Sequence, residues 1–347
     1  MSVEVKSIDE VVTTNHLLSA RGLRAGYAGR TTDTIAVDDV SLYVNEGEVL
    51  GIAGESGCGK STLAAVLSLT AVPPLHVLAG ELDVAGKRLS FEPDKAPPRE
   101  WRGTVVSLLP QGAMNSLSPT ARVGDFAVQI VRAHEGRKVS ASDAKGRAAE
   151  RFAQLDLPAR VLDAYPHQLS GGMKQRVVTV LSTLLNPKLL IADEPTSALD
   201  VSSQRIVTDL MREMLQKQLV SGIIFVTHDL PVLRRVADRV AIMYAGQIHE
   251  TGPTEEIINR ARHPYTGALI GSVLVPEPQI RTRRISGIKG SPPDLSDPPA
   301  GCRFHPRCSL AMDVCTTEQP PIVGDERHYA TCWWAKDHPG EPVEAKL

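Results

Sequence analysis

Residues Gly54 to Ser61 read GESGCGKS, a glycine followed by four residues and then Gly59, Lys60 and Ser61. That pattern suits phosphate binding. Glycines let the backbone curl until successive N–H groups face phosphate oxygens at a helix start, and Lys60 supplies positive charge at the β- and γ-phosphates. The Ser61 hydroxyl is suited to Mg²⁺, while Ser56, Gly57, Cys58 and Thr62 complete the loop. Cys58 reads as a spacer here and not as a nucleophile. Further along, Leu189 to Glu194 read LLIADE, two carboxylates directly after an apolar run. Asp193 can there reach a metal shell and Glu194 can polarise a water. Alone, such an acidic pair is an ordinary solvated turn. Behind a phosphate loop it defines a nucleoside triphosphatase.

Such chemistry needs elements that bring loop and carboxylates side by side. Glu48 to Ala53 is a short apolar run into the glycine-rich turn, and Thr62 to Leu69 carries good helix formers, giving strand, phosphate loop and helix. Leu17 to Tyr27 and Val37 to Val44 alternate apolar and polar residues over part of their length, as half-buried antiparallel strands do. Val105 to Leu109 reads as another strand. From about residue 112 to 186 helical patterns dominate, including Asp125 to His134 and Ala141 to Leu155. Met173, Val177, Val180, Leu181 and Leu184 recur at helical spacing and predict a core-facing stripe on a helix starting near Gly171. Strand-like runs at Leu189 to Ala192, Ile223 to Thr227 and Arg239 to Met243 then alternate with helical stretches at Ser203 to Lys217 and Leu230 to Ala237. Alternation of this kind predicts a mostly parallel sheet. The expected class is therefore α/β: a P-loop NTPase core with a mostly parallel sheet, an N-terminal antiparallel β layer, an inserted helical subdomain and a small C-terminal Cys-bearing domain.

The bulk properties narrow the partners. A chain of 347 residues with 42% apolar side chains can bury a large core. Its 38 basic and 40 acidic residues nearly cancel, which removes any general electrostatic pull towards nucleic acid. The N-terminal stretch MSVEVKSIDE has no apolar centre, so it is not a secretory signal, and the expectation is a cytosolic protein. Apolar runs such as Leu63 to Leu69 fall well short of the ~18 residues a membrane span needs. Any membrane role must come through a partner. Cys58 stands alone, whereas Cys302, Cys308, Cys315 and Cys332 crowd the tail and suggest a metal site. Prolines from about Pro276 onward, including Pro292, Pro293, Pro298 and Pro299, mark a linker into that tail.

Leu169 to Arg176 read LSGGMKQR, which resembles the signature of ABC transporter ATPases with Met173 in place of the usual Gln. Gln111 stands where the family has its Q-loop, Ser197 to Asp200 (SALD) where it has its D-loop, and His228 where it has its switch histidine. Tyr27 occupies the place where the family stacks an aromatic ring on adenine; the alternative is a packed strand residue. The resemblance implies that Glu194 is the catalytic carboxylate, that His228 holds the γ-phosphate and water, and that Gln111 senses Mg²⁺ and contacts the membrane subunits. It also implies that Ser170, Gly171 and Gly172 meet the γ-phosphate of a partner's ATP, so that activity requires a dimer.

The tail, GCRFHPRCSLAMDVC from Gly301 to Cys315 and then Cys332, resembles the C-terminal domain of oligopeptide and dipeptide importer ATPases, as does HPYTGALIGSVL from His263 to Leu274. On that resemblance, residues 17–275 form the ABC ATPase domain, with the helical subdomain at about 112–186, and residues 276–340 form the linker and tail domain. The four tail cysteines match members of this branch that hold a [4Fe-4S] cluster; their spacings of five, six and sixteen residues do not fit a zinc ribbon's two close pairs. Implied cofactors are ATP, Mg²⁺ and that cluster. Implied partners are a second ABC ATPase subunit, a different chain, two transmembrane permease subunits and, indirectly, an external solute-binding protein, with no nucleic acid. The implied location is peripheral, at the cytoplasmic face of the cell membrane. Gly112 and Ala113 replace the usual Asp and Pro after the Q-loop, which leaves an oligosaccharide importer as an alternative cargo class. A non-transport ABC ATPase is the alternative from another class, though the paired ATPase units or coiled-coil insertion common there are absent from this sequence.

Overall fold

The computed structural model describes residues 16–29, 33–92, 95–197, 199–272 and 287–343. The MSVEVKSIDE stretch, Ala198 of the SALD motif, Val273 and Leu274 of the HPYTGALIGSVL stretch, and the start of the expected linker at 276–286 lie outside them.

The first layer is antiparallel. β1 (Leu18–Tyr27) pairs with β2 (Thr34–Val44) on one side; β4 (Leu75–Val84) lies on its other side and carries β5 (Lys87–Ser90), giving the order β2-β1-β4-β5. The second layer is built on β3 (Val49–Ala53), which runs into the phosphate loop and then into α1 (Lys60–Leu67). β6 (Val106–Leu109) follows, and after it come α2 (Val123–Glu135), α3 (Ala141–Gln154) and α4 (Gly171–Ser182). The chain then alternates β7 (Leu189–Asp193), α5 (Val201–Gln216), β8 (Gly222–Val226), α6 (Leu230–Val236) and β9 (Arg239–Tyr244). Strands β9, β3, β8, β7 and β6 are neighbours in that order and all parallel.

These parallel strands are near-continuous apolar runs because both of their faces are covered. Alternate residues serve different cores. Leu50, Ile52, Ile191, Ile224 and Val226 face the antiparallel layer and α1 with Leu18, Leu23 and Leu63. Val49, Leu190, Ala192, Ile223 and Phe225 face the helices, with Phe152 and Val177. Of the predicted stripe on α4, Val177, Val180, Leu181 and Leu184 are buried, and Met173 packs half-buried at its rim.

The tail completes the sheet. β10 (Gln247–Pro253) returns antiparallel to β9, followed by α7 (Thr254–Asn259) and α8 (Pro264–Gly271). Two short strands, β11 (Ile322–Gly324) and β12 (Tyr329–Thr331), then extend the same sheet past β10, before α9 (Trp333–Asp337). Residue pairs Glu250 with Ala330 and Thr251 with Tyr329 define the junction. There the fully buried Glu250 carboxylate accepts from the N–H groups of Arg262 and His263 and lies 2.8 Å from His328 Nε2, joining β10, α8 and the tail. Residues 287–300 carry no helix or strand and lay Ile288 and Leu295 against the helix-side core.

Candidate functional site

The phosphate loop sits where β3 leaves the sheet and α1 begins. Gly59 is the N-cap of α1 with φ of 105°, and a Cβ there would fall 2.0 Å from the carbonyl oxygen of Ala36. Only glycine fits a left-handed conformation with a neighbouring strand so close. Lys60 is buried and reaches back across the loop, donating to the carbonyls of Gly54 and Glu55 at 2.8 Å each. Cys58 is buried 3.7 Å from Lys60 Nζ, and burial raises its thiol pKa despite the neighbouring ammonium.

Beside the loop opens a cleft of about 450 Å³ lined by Tyr27, Ala36, Ser56, Gly57, Gly59, Lys60, Ser61, Thr62, Gln111, Glu194 and Leu295. Residues scattered from 27 to 295 in sequence thus meet at one surface. Tyr27 stands at its edge, 38% exposed, with its hydroxyl 3.0 Å from that of Thr62. An aromatic ring partly exposed at the cleft edge suits stacking on a base.

The carboxylates come from the end of β7. Asp193 is buried, and desolvation raises its pKa while a hydrogen bond with Ser61 opposes that rise. Its Oδ1 has no hydrogen-bond partner among the described residues. A buried carboxylate oxygen without a partner beside a serine hydroxyl is a donor set of the hard, oxygen-only kind that Mg²⁺ takes. Glu194 follows with φ of 46°, a left-handed conformation that costs a non-glycine residue about 1 kcal/mol or more. Its N–H donates to the carbonyl of Val226 at 2.9 Å, and its Oε1 lies 2.8 Å from His228 Nδ1. His228, reached through Thr227 from the end of β8, is half exposed, whereas Glu194 is largely covered. The pair therefore presents a shielded carboxylate whose orientation the imidazole fixes.

The signature residues lie elsewhere. Ser170 is the N-cap of α4, its hydroxyl accepting from Met173 N–H at 3.3 Å, and Gly171 forms the exposed first turn with the half-buried Gly172. None of the three lines the cleft. Asp200 likewise caps α5, and hydrogen bonds from Ser202 and Ser203 hold its carboxyl well below the usual range. Gln175, on α4, donates to the carbonyl of Pro195 at 2.8 Å and so ties the signature helix to the segment after Glu194. The sequence offered no signal for that link beyond its place in the signature.

In the tail, Cys302, Cys315 and Cys332 are buried, Cys308 is half-buried, and all are free thiols. Burial raises the pKa of Cys308 to about 11 and of Cys332 to about 12, and Cys302 adds to both shifts through its charge. Cys315 acts in the same way on Cys302 and Cys308. Thiols scattered over 31 positions thus act on one another's ionisation through their charges. His249 and His263, both buried, place ring nitrogens within 4.8 Å of the Cys302 sulfur and of each other. This histidine pair was not anticipated from the sequence. It shares Cys302 with the four-thiol set.

Another contact was not anticipated either. Arg307, between Cys302 and Cys315, donates two hydrogen bonds to the carboxylate of Glu55 inside the phosphate loop, at 2.5 and 3.0 Å.

Comparison with known proteins agrees with this geometry. The ABC transporter family matches residues 37–197, and the C-terminal region of oligopeptide/dipeptide transporters matches residues 249–315. The chain is 39% identical over 346 residues to the oligopeptide transport ATP-binding protein OppD of Bacillus subtilis, covering 97% of this chain and 95% of that protein. It is 37% identical to the dipeptide transport ATP-binding protein DppD of Escherichia coli, covering 94% and 99%. Among solved structures, the ATP-binding cassette MJ0796, a dimer in a post-hydrolysis state with ADP and Pi, superposes with a TM-score of 0.57 at 23% identity over 68% of this chain and 98% of that one, which supports the shared fold. No helix among the described residues is long and apolar enough to cross a membrane. With the family matches, this near full-length identity and the loop beside Glu194 and its partner His228, the chain belongs to the ATP-binding subunits of the oligopeptide/dipeptide ABC transporters.

Proposed function

We propose that this protein is the ATP-hydrolysing subunit of an ABC importer that energises uptake of oligopeptides or dipeptides through partner membrane subunits. The observation that carries the reading is the single cleft shared by the phosphate loop, Gln111 and Glu194, with His228 bonded to Glu194. The cargo class is supported by the relatives' peptide transport.

In this reading Tyr27 stacks on adenine, the amides of Gly54 to Thr62 cradle the phosphates, and Lys60 neutralises their charge. Ser61, Asp193 and Gln111 would hold Mg²⁺, which when bound polarises the phosphoryl oxygens. Glu194 takes a proton from water as the water oxygen bonds to the γ-phosphorus and the bond to the ADP oxygen breaks. His228 orients that carboxylate. Ser170, Gly171 and Gly172, exposed or half-buried away from this cleft, serve the γ-phosphate bound by a second ATPase subunit, a different chain, and Asp200 shapes the loop at that junction. Donors from a second chain then meet the charge of the transition state. Residues 17–275 form the ATPase unit with its helical subdomain at 112–186, and 276–340 form the tail unit. The two transmembrane permease subunits hold the protein at the cytoplasmic face of the membrane, with the cargo delivered by an external solute-binding protein.

Cys302, Cys308, Cys315 and Cys332 would hold a [4Fe-4S] cluster, whose part here is structural. Four free thiols in the tail, three of them buried, support this, since soft thiolates are the ligands iron–sulfur clusters take.

Glu194→Gln tests the catalytic reading. It keeps the shape but not the charge, so ATP binding persists while hydrolysis in the assembled transporter falls by roughly 10² to 10⁴. Wild-type hydrolysis in that variant would overturn the assignment.

A further inference from the structure

We propose that Arg307 is a positioning residue for nucleotide binding: from the tail it fixes the phosphate loop and neutralises the Glu55 carboxylate within it. The affinity of the loop for ATP is then set in part by the docked tail. The inference rests on the reading that Gly54 to Thr62 holds the ATP phosphates.

Arg307 and Glu55 lie 252 residues apart in sequence, yet their side chains form a two-pronged pair, Nη1 to Oε2 at 2.5 Å and Nη2 to Oε1 at 3.0 Å. Paired forks of this kind fix direction as well as distance. The arginine is itself held. Its side chain is only 5% exposed; Nε donates to the carbonyl of Lys289 at 2.9 Å, and Nη1 to the Tyr244 hydroxyl at 3.2 Å. Its backbone belongs to a tight 3₁₀ turn in which Arg307 N–H donates to Phe304 and Cys308 N–H to His305. The guanidinium thus projects from a rigid base.

Glu55 is where this base meets the chemistry. Its N–H donates to the buried hydroxyl of Tyr265 at 2.8 Å, and its carbonyl accepts from Lys60 at 2.8 Å. Its side chain is held by the tail, its amide by α8, and its carbonyl by the lysine that meets the phosphates. Leu295, also from the residues after 286, forms part of the cleft wall.

Two effects follow. A loop already held in shape loses less freedom when ATP arrives. A glutamate inside a polyphosphate site repels its ligand unless its charge is matched, and Arg307 is the cation bonded to it. The second effect separates a positioning role from a merely structural one. Removing the arginine leaves an unmatched negative charge, and removing that charge as well recovers part of the lost binding.

The test is an equilibrium titration of the full chain with a fluorescent ATP analogue and Mg²⁺. Arg307→Met weakens binding about tenfold, equivalent to about 1.4 kcal/mol. Arg307→Lys, which keeps the charge, loses less than about threefold. Glu55→Gln in the Arg307→Met background regains part of the loss, because the unmatched charge is gone while the loop stays untied from the tail. Lys60→Ala serves as the reference for the loop itself. If Lys60→Ala binds like wild type, the reading of the loop fails. If Lys60→Ala is impaired while Arg307→Met is not, the loop reading stands and this inference falls. A double variant no better than Arg307→Met also overturns it. Should Arg307→Met not fold, Arg307→Gln takes its place, and a double variant with Glu55→Gln that binds no better than Arg307→Gln overturns the inference.

Discussion

Substituting alanine at Gly59 tests the packing that shapes the phosphate loop. The new Cβ would lie 2.0 Å from the Ala36 carbonyl oxygen, where an ordinary carbon–oxygen contact is about 3.3 Å or more. About 1.3 Å of overlap must be relieved by moving β2 or α1, and both are buried elements. Overpacking of this kind costs about 1 to 3 kcal/mol, and forcing alanine to a φ of 105° adds about 1 to 2. The expected loss is about 4 kcal/mol. Gly57→Ala is the internal comparison, because its φ is 82° but nothing lies within 4 Å of its would-be Cβ. That variant suffers only the backbone term, about 1 to 2 kcal/mol. Urea unfolding of both proteins at one temperature, followed by circular dichroism, gives the difference directly. A gap of about 2 kcal/mol is expected. Equal stability of the two variants, within about 0.5 kcal/mol, would refute the claim that β2 sets the shape of the loop.

Other perturbations reach the neighbouring groups. Tyr27→Ala should raise the KM for ATP roughly tenfold or more, since base–aromatic stacking contributes about 1 to 3 kcal/mol, while Tyr27→Phe stays near wild type; an unchanged KM in the alanine variant reduces Tyr27 to a packing residue. Cys58→Ala should keep ATP affinity within about twofold, because Cys58 packs against the loop without donating to the ligand. Because burial raises the Cys58 pKa, its thiolate fraction at pH 8 is below that of a free cysteine, so maleimide labelling at Cys58 should be slow in the native protein and rise steeply above the usual thiol range. Protein prepared without oxygen should be brown, with absorbance near roughly 400 nm, and Cys308→Ser should remove the colour; a colourless, iron-free wild type with normal ATPase activity would sink the cluster.

The chemistry of this protein was legible where it is local. Gly54 to Thr62 and Leu189 to Glu194 are short, dense patterns whose meaning depends on spacing, and the strands β3 and β7 that carry them stand out as apolar runs. The mostly parallel sheet followed from the alternation of strands and helices, whereas the order of its strands appears only in the structure. β4 and β5 were not read, because only scattered positions of Leu75–Val84 are buried and Lys87–Ser90 has none, so no apolar alternation marks them. β11 and β12 escaped for a related reason, being three residues each. The Arg307 contact could not be read at all. It joins residues with no local pattern in common, and only the completed sheet brings them together. Glu250 shows the same limit: a buried glutamate is unexpected from composition, and its partners Arg262, His263 and His328 appear only once the tail has folded back.

The way the tail seals the edge of the sheet also orders events in time. Glu55 leaves the ribosome long before Arg307, which lies 252 residues behind it. At roughly 5 to 20 residues per second, that interval is about 13 to 50 seconds. Through it the nascent chain carries the phosphate loop but not the partner of Glu55, and β10, once made, exposes an unpaired edge until β12 follows it. A chain cut short by a nonsense codon between β10 and Arg307 would remain in that unfinished condition, with its motifs intact and the edge of β10 open to aggregation. The last sixth of the sequence thus works as a completion mark on the rest.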